Sequence, residues 1–193
     1  MARVGVLRPL TPQDTLAYTL DHGDHIVDIR GPWDAFAVAN GAPGLTRDRV
    51  IGTRLLAHVT GLGVGELTRM LLLRARRGPV RGLAFRCDAP DRRRYLRMSL
   101  EPLPGNGLRI ETTLLRTEPR APQRFLDTNV ERSDDVIVAC SWCRKIEVPG
   151  TGFVEVDDAV ATQDLFAGET VPAISHGVCG PCADQMRSGP RVA

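Results

Sequence analysis

Four of the five cysteines in this 193-residue chain stand in two C-x2-C pairs, Cys140/Cys143 and Cys179/Cys182, within the last 54 residues. No other feature constrains the fold as strongly. A tight turn brings residues i and i+3 together, so each pair can aim both sulfurs at one point. Two such turns supply four thiolates, the closed tetrahedral shell that a structural zinc prefers. The 35 residues between Cys143 and Cys179 exceed the commonest zinc-ribbon spacing. Longer loops close at slowly rising entropic cost, so this gap still fits. Zinc is therefore the expected cofactor, held by Cys140, Cys143, Cys179 and Cys182. An iron–sulfur cluster needs the same thiolate count, and reactive metal-free thiols are the third reading.

The second pair, Cys179-Gly180-Pro181-Cys182, spells the active site of a thioredoxin. In that fold the motif opens a helix after a strand, and further strands and helices follow. Only 11 residues follow Cys182 here, and no βαβ pattern is evident before the motif. Thiol–disulfide catalysis is not expected. Covalent haem attachment needs C-x-x-C-H, whereas Arg144 and Ala183 follow the two pairs. His176 completes an H-x2-C-x2-C run, so it is either a replacement ligand or a hydrogen-bond partner of a thiolate.

The rest of the chain reads as an ordinary globular protein. Its 42% hydrophobic content argues against wholesale disorder, and no apolar run approaches the roughly 20 residues needed to span a bilayer. The opening "MARVGVLRPLTPQD" meets proline and polar residues too early for a secretory core. A cytoplasmic protein is expected. Net charge is +2, yet residues 1–117 carry 18 basic against 11 acidic groups and residues 118–193 carry 7 against 12. Arg69 to Arg97 holds ten arginines against Asp88 and Asp91. That window is expected to be a solvated face, or else a surface for an anionic partner.

Periodicity then divides the chain. "LAYTL" and "HIVDIRG" suggest strands around an Asp21-His22-Gly23-Asp24 turn, with His22 and His25 facing solvent. "GPWDAFAVANG" suggests a short helix from Pro32 to a stop at Gly41. Thr46 is a candidate cap for the next turn. "GVGELTRMLLLRARRG" is the clearest helix, with Val64, Leu67, Leu71 and Arg74 at spacings of three and four. Strands follow over Val80 to Asp88, around Leu96, Met98 and Leu100, and over Leu108 to Leu115, the last two joined by Pro104-Gly105-Asn106-Gly107. One-sided alternation implies a sheet with one face beneath helices, an α+β layer. Residues 118–135, with two prolines and weak periodicity, suggest a linker. A cysteine-rich unit is expected over 136–186, where "GFVEVDDAV" alternates like a hairpin strand after Pro149-Gly150-Thr151-Gly152.

The element order over residues 14–117, with "YTLDHGDHIVDIRGPWDAFAVANG" and "RVIGTRLLAHVTG", resembles a PAS sensory domain. Over about residues 138–186, "CSWCRKI…SHGVCGPC" resembles a C-terminal tail of bacterial signalling proteins. In that tail the pattern is C-S-x-C-K-K-I followed by S-H-G-I-C-P-x-C, from which Gly180-Pro181 departs. Together these resemblances imply a PAS-like antiparallel sheet covered by short helices, plus a small zinc knuckle. They imply a non-enzymatic sensory or adaptor protein whose partner is a small ligand, a signalling protein or a second copy of the chain. Such domains can also hold haem or flavin, neither of which is expected here. His58 is the best placed haem ligand, expected on a helix facing the core, while Cys87 falls on a strand rather than in a flavin-binding helix. "GLGVGE" follows no parallel strand and so cradles no phosphate. The alternatives are a redox switch through the four cysteines and a nucleic-acid-binding regulator, which the acidic tail disfavours. In the zinc-knuckle reading, removing the metal should melt the tail and spare the sheet.

Overall fold

The computed structural model describes residues 14–40, 42–127, 129–163, 166 and 168–188. It is a mixed α+β structure built on two sheets. The first sheet contains β1 (Thr15–Leu20), β2 (Ile26–Arg30), β3 (Val80–Arg86), β4 (Arg92–Leu103) and β5 (Gly107–Pro119). Its order is β2-β1-β5-β4-β3, and every pairing is antiparallel. Between β2 and β3 lie α1 (Trp33–Ala39), α2 (Arg47–Val50), a 3₁₀ turn over Leu55–His58, and α3 (Leu62–Arg77).

The long helix buries Val64, Leu67, Leu71, Leu72 and Ala75. Arg74, expected on that face, is displaced to its edge, and Leu72 and Ala75 complete the stripe. These side chains meet Leu20, Ile29, Leu83, Leu100 and Ile110 from the sheet. Alternation along β4 places Leu96 and Leu100 inward as expected, with Met98 half-buried between them. Pro104–Asn106 forms a 3₁₀ turn from β4 into β5.

Local capping differs from the sequence expectation in two places. Pro32 precedes α1 as its cap residue, and Asn40 closes the helix by donating to the Phe36 carbonyl at 2.7 Å. Gly41, the expected stop, lies outside the described residues. Thr46 precedes α2 but makes no side-chain cap bond. Asp34 replaces it, accepting from the Arg47 N–H at 2.6 Å. At the first turn, one Asp21 oxygen accepts from the Gly23 and His25 backbones, both at 2.8 Å. His22 is exposed, but His25 is half-buried with its ring on the Asp21 carboxylate, contrary to expectation.

The second sheet contains β6 (Arg132–Cys140), β7 (Ile146–Val148), β8 (Gly152–Val154) and β9 (Val171–Gly177), with α4 (Val156–Thr162) before β9 and α5 (Gly180–Ser188) after it. Its order is β8-β7-β6-β9; β6 pairs antiparallel with β7 and parallel with β9. The expected strand "GFVEVDDAV" ends at Val154, and Val156 begins α4. Asp157 and Asp158 in the first helical turn favour this switch, because carboxylates stabilise a helix N-terminus. Val156 and Ala159, three apart, fill the second core.

Residues 118–135 are not a free linker. Strand β5 runs to Pro119 and β6 starts at Arg132. Between them Phe125 is 1% exposed, edge-on to Phe166 at 5.3 Å. The two sheets also share side chains: Ala183 and Met186 of α5 belong to the core beneath the first sheet. A cluster of Arg86, Arg93 and Arg120 with Asp88, Glu155 and Asp157 ties β3, β4 and the segment after β5 to α4. Among the described residues no helix is long and apolar enough to cross a membrane.

Candidate metal centre

Strand geometry delivers the cysteines to one place. Because β6 and β9 run parallel, with Cys140 opposite Gly177, their C-terminal ends lie side by side. Cys140 ends β6 and begins the first C-x2-C turn; Cys179 follows β9 and precedes α5. Parallel neighbours cannot be joined by a tight hairpin and need a crossover of a dozen or more residues. This explains the long gap between the pairs, which holds β7, β8 and α4.

The first turn closes tightly. Arg144 N–H donates to the Cys140 carbonyl at 2.9 Å, with Arg144 in the left-handed region (φ 66°), and Cys140 N–H donates to Lys145 at 2.8 Å. The second pair spans the first turn of α5, where Ala183 N–H donates to the Cys179 carbonyl at 2.9 Å. The partial positive charge of a helix N-terminus favours thiolates there.

All four sulfurs lie within 4.8 Å of one another. Cys179 Sγ is 3.7 Å from both Cys140 Sγ and Cys143 Sγ. Four sulfurs bound tetrahedrally at about 2.3 Å from a metal stand about 3.8 Å apart, whereas a disulfide needs about 2.05 Å. Cys140, Cys179 and Cys182 are buried and Cys143 is half-buried. The Cys143 and Cys179 backbone N–H groups donate to the Cys140 sulfur at 3.5 and 3.4 Å. Hydrogen bonds from the Cys143 and Cys182 thiols, with these amides, hold Cys140 well below the ordinary thiol range. The same bond, made to Cys140, pushes Cys143 up to about 12 and raises Cys182 as well. The Cys140 sulfur is thus the one favoured as thiolate, with the Cys143 and Cys182 thiols as its proton donors. A cation in their midst would replace those protons, so the donor set fits a thiophilic metal.

His176 stands beside the cluster rather than within it. Its Nδ1 lies 3.4 Å from Ser141 Oγ, and burial, then the nearby Arg144 charge, hold its pKa below the ordinary imidazole value. His58 is exposed at the end of a 3₁₀ turn rather than on an α-helix, its Nε2 2.6 Å from Thr53 Oγ1, and it lines a cavity shared with Leu71, Leu72 and Leu100. Cys87 lies just after β3, outside the group of four sulfurs, near the guanidinium of Arg94 at 4.0 Å.

Trp142, between the first two cysteines, escapes sequence reasoning, though its position inside the knuckle marks it. Its indole N–H donates to the Ala84 carbonyl at 2.7 Å, its own carbonyl accepts from Arg86 N–H at 2.8 Å, and its ring meets Phe85 at 5.5 Å. The knuckle thus covers the edge strand β3, which would otherwise offer unpaired backbone groups. Gly61 brings α3 against β9: its φ is 92°, and a β-carbon there would lie 2.7 Å from the His176 carbonyl oxygen. Gly61→Ala is expected to cost more than about 1 kcal/mol in urea unfolding, because alanine strains at positive φ and has no room.

Comparison of the chain with protein-family models, with curated proteins and with solved structures finds no match.

Proposed function

We propose that this chain is a non-enzymatic cytoplasmic sensory or adaptor module, a PAS-like sheet unit carrying a structural zinc knuckle. The observation that carries the proposal is the closed set of four sulfurs, placed between the two sheets and docked on β3. Four thiolates around one point, three of them buried, leave no open coordination position of the kind catalytic zinc requires. The PAS-like reading is supported by the element order of two strands, short helices, a long helix and three antiparallel strands. A ligand or partner that binds one arrangement of the sheet unit better than another would bias the knuckle docked on its edge.

The redox-switch reading is less favoured because three of the four cysteines are buried. Nucleic-acid binding is less favoured because the arginine window is occupied from within. Among the described residues, eight of its ten arginines already meet protein oxygens; Arg77 and Arg97 are the other two.

Native mass spectrometry with an absorption spectrum tests the metal half of the proposal. The expected result is one zinc per chain, no visible band, and four thiols that react only after chelation. Four reactive thiols without metal, or an iron–sulfur, haem or flavin band, would sink it.

A further inference from the structure

A cavity of about 340 Å³ opens between the inner face of the first sheet, α3 and the knuckle. Its deep wall is apolar: Leu71, Leu72, Leu100 and Ile110 line it, each 3% exposed or less. The facing wall comes from the metal-bearing unit, through Ser141, Trp142 and Arg144 after β6 and His176 on β9. Among the described residues no carboxylate lines it.

The Tyr18 and Arg144 side chains are polar groups on this cavity without a hydrogen-bond partner among the described residues. Tyr18 presents a hydroxyl with no hydrogen bond among the described residues. Arg144 is half-buried, yet among the described residues its guanidinium makes neither an ion pair nor a hydrogen bond. Arg86, Arg93 and Arg120, by contrast, are each matched with acids. A partly desolvated cation without a counter-ion is costly, and an anion supplied from outside would relieve it.

We infer that this cavity binds a small amphipathic carboxylate, its apolar body against α3 and the sheet and its acid group on Arg144. This rests on the sensory reading and gives it a ligand class. A planar guanidinium fork matches a carboxylate through two parallel hydrogen bonds. One guanidinium brings one charge, which suits a monoanion. The volume lies at the small end of the roughly 300–1,000 Å³ typical of ligand sites, so it suits one ring and a short chain. Ser141 and Trp142 lie between metal-binding cysteines, so the metal fixes the wall that carries Arg144. Ligand and metal are therefore coupled, each raising the other's affinity by the same factor.

The test is calorimetric titration of the zinc-loaded full chain with 4-phenylbutyrate and with its uncharged counterpart, 4-phenyl-1-butanol. The acid is expected to bind about tenfold tighter than the alcohol, the ratio set by about 1.4 kcal/mol. Arg144→Gln should abolish that preference while leaving the alcohol unchanged, and the isosteric Tyr18→Phe should weaken the acid a few-fold by removing one donor. Equal binding of acid and alcohol, binding of neither, or an unchanged preference in Arg144→Gln would overturn the inference. Zinc content and thermal unfolding of each sample keep the two ideas apart. Folded, zinc-bearing protein without an acid preference overturns the pocket alone. Metal-free protein that still prefers the acid supports the pocket and overturns the zinc reading.

Discussion

Stripping the metal with a strong chelator, or replacing Cys140 with serine, is expected to destabilise the whole chain and not the cysteine unit alone. Structural zinc supplies about 10–16 kcal/mol to small zinc-binding units, against total stabilities of about 5–15 kcal/mol for ordinary domains. Losing that contribution leaves the second sheet without its closure. From the sequence, two independent units would let the first sheet survive. The structure argues otherwise, because α5 belongs to both. Cys182 sits on the side that joins the other three sulfurs, while Ala183 and Met186, the latter 1% exposed, are buried with α3 beneath the first sheet. Cys140 is the most sensitive position: it is 0% exposed, and its sulfur accepts the amides of both knuckles. Serine there would leave a hydroxyl among three thiols and draw back the acceptor that orders both turns. Hydrogen exchange gives the discriminating readout. After chelation, amides of α3 and β3 should lose protection together with those of β6 and β9. A first sheet whose protection is untouched while β6 and β9 exchange freely would show two independent units and disprove the coupling.

What could be read in the sequence follows a physical division. Features encoded locally were legible. Period-two alternation marked β4, period-3.6 spacing marked α3, and the C-x2-C spacing marked the four sulfurs that the structure brings within 4.8 Å. Features set by pairing across the chain were not. Nothing in "VIVAC" or "AISHG" says that the two segments run parallel, so the long gap between the cysteine pairs looked anomalous when it is the crossover that parallel strands require. The same blindness hid the local setting of Cys179-Gly180-Pro181-Cys182. It does open a helix after a strand, as a thioredoxin motif would, and α4 lies between the parallel β6 and β9. What sets it apart is that Cys140 and Cys143 stand at the same spot, and their arrival depends on tertiary pairing alone. "EVDDAV" misled for another reason. Over six residues, apolar positions cannot distinguish a strand's alternation from a helix's spacing of three, and the acidic first turn tips it to helix. Charge reading along the arginine window could not show that Glu155 and Asp157, at the start of α4 and more than sixty residues away, also pair with Arg86 and Arg93.

Those carboxylates set the second large effect. Asp88→Ala is expected to destabilise the protein by about 3–5 kcal/mol in urea unfolding, the usual cost of orphaning a buried charge. The Asp88 side chain is 0% exposed and joins Arg86 and Arg120, which are 8% and 4% exposed. Around it, three arginines and three acids balance: Arg86 also donates to Glu155 at 2.6 Å, and Arg93 pairs with Asp157. Burial works against the charge on Arg86, but the hydrogen bonds it donates to Asp88 and Glu155 outweigh it and hold its pKa above the ordinary value. Arg120 has less support. Its Nη1 makes no proper hydrogen bond, standing 3.4 Å from Asp88 and 3.7 Å from Asp157. Removing Asp88 leaves one uncompensated positive charge where water cannot reach it, and Arg120 bears most of the loss. The cause is separable from simple cavity formation. If the orphaned charge dominates, adding Arg120→Met to Asp88→Ala should recover part of the stability, because a buried pair replaced by apolar groups is often neutral. If the cavity dominates, the double variant should be the worse of the two. An Asp88→Ala loss below about 1 kcal/mol would mean that water already reaches the cluster, since exposed pairs contribute no more than that. The cluster joins β3 and β4 to α4, next to the strand on which Trp142 docks. Its failure should therefore also loosen the wall that carries Arg144, so Asp88→Ala should weaken carboxylate binding without touching the cavity.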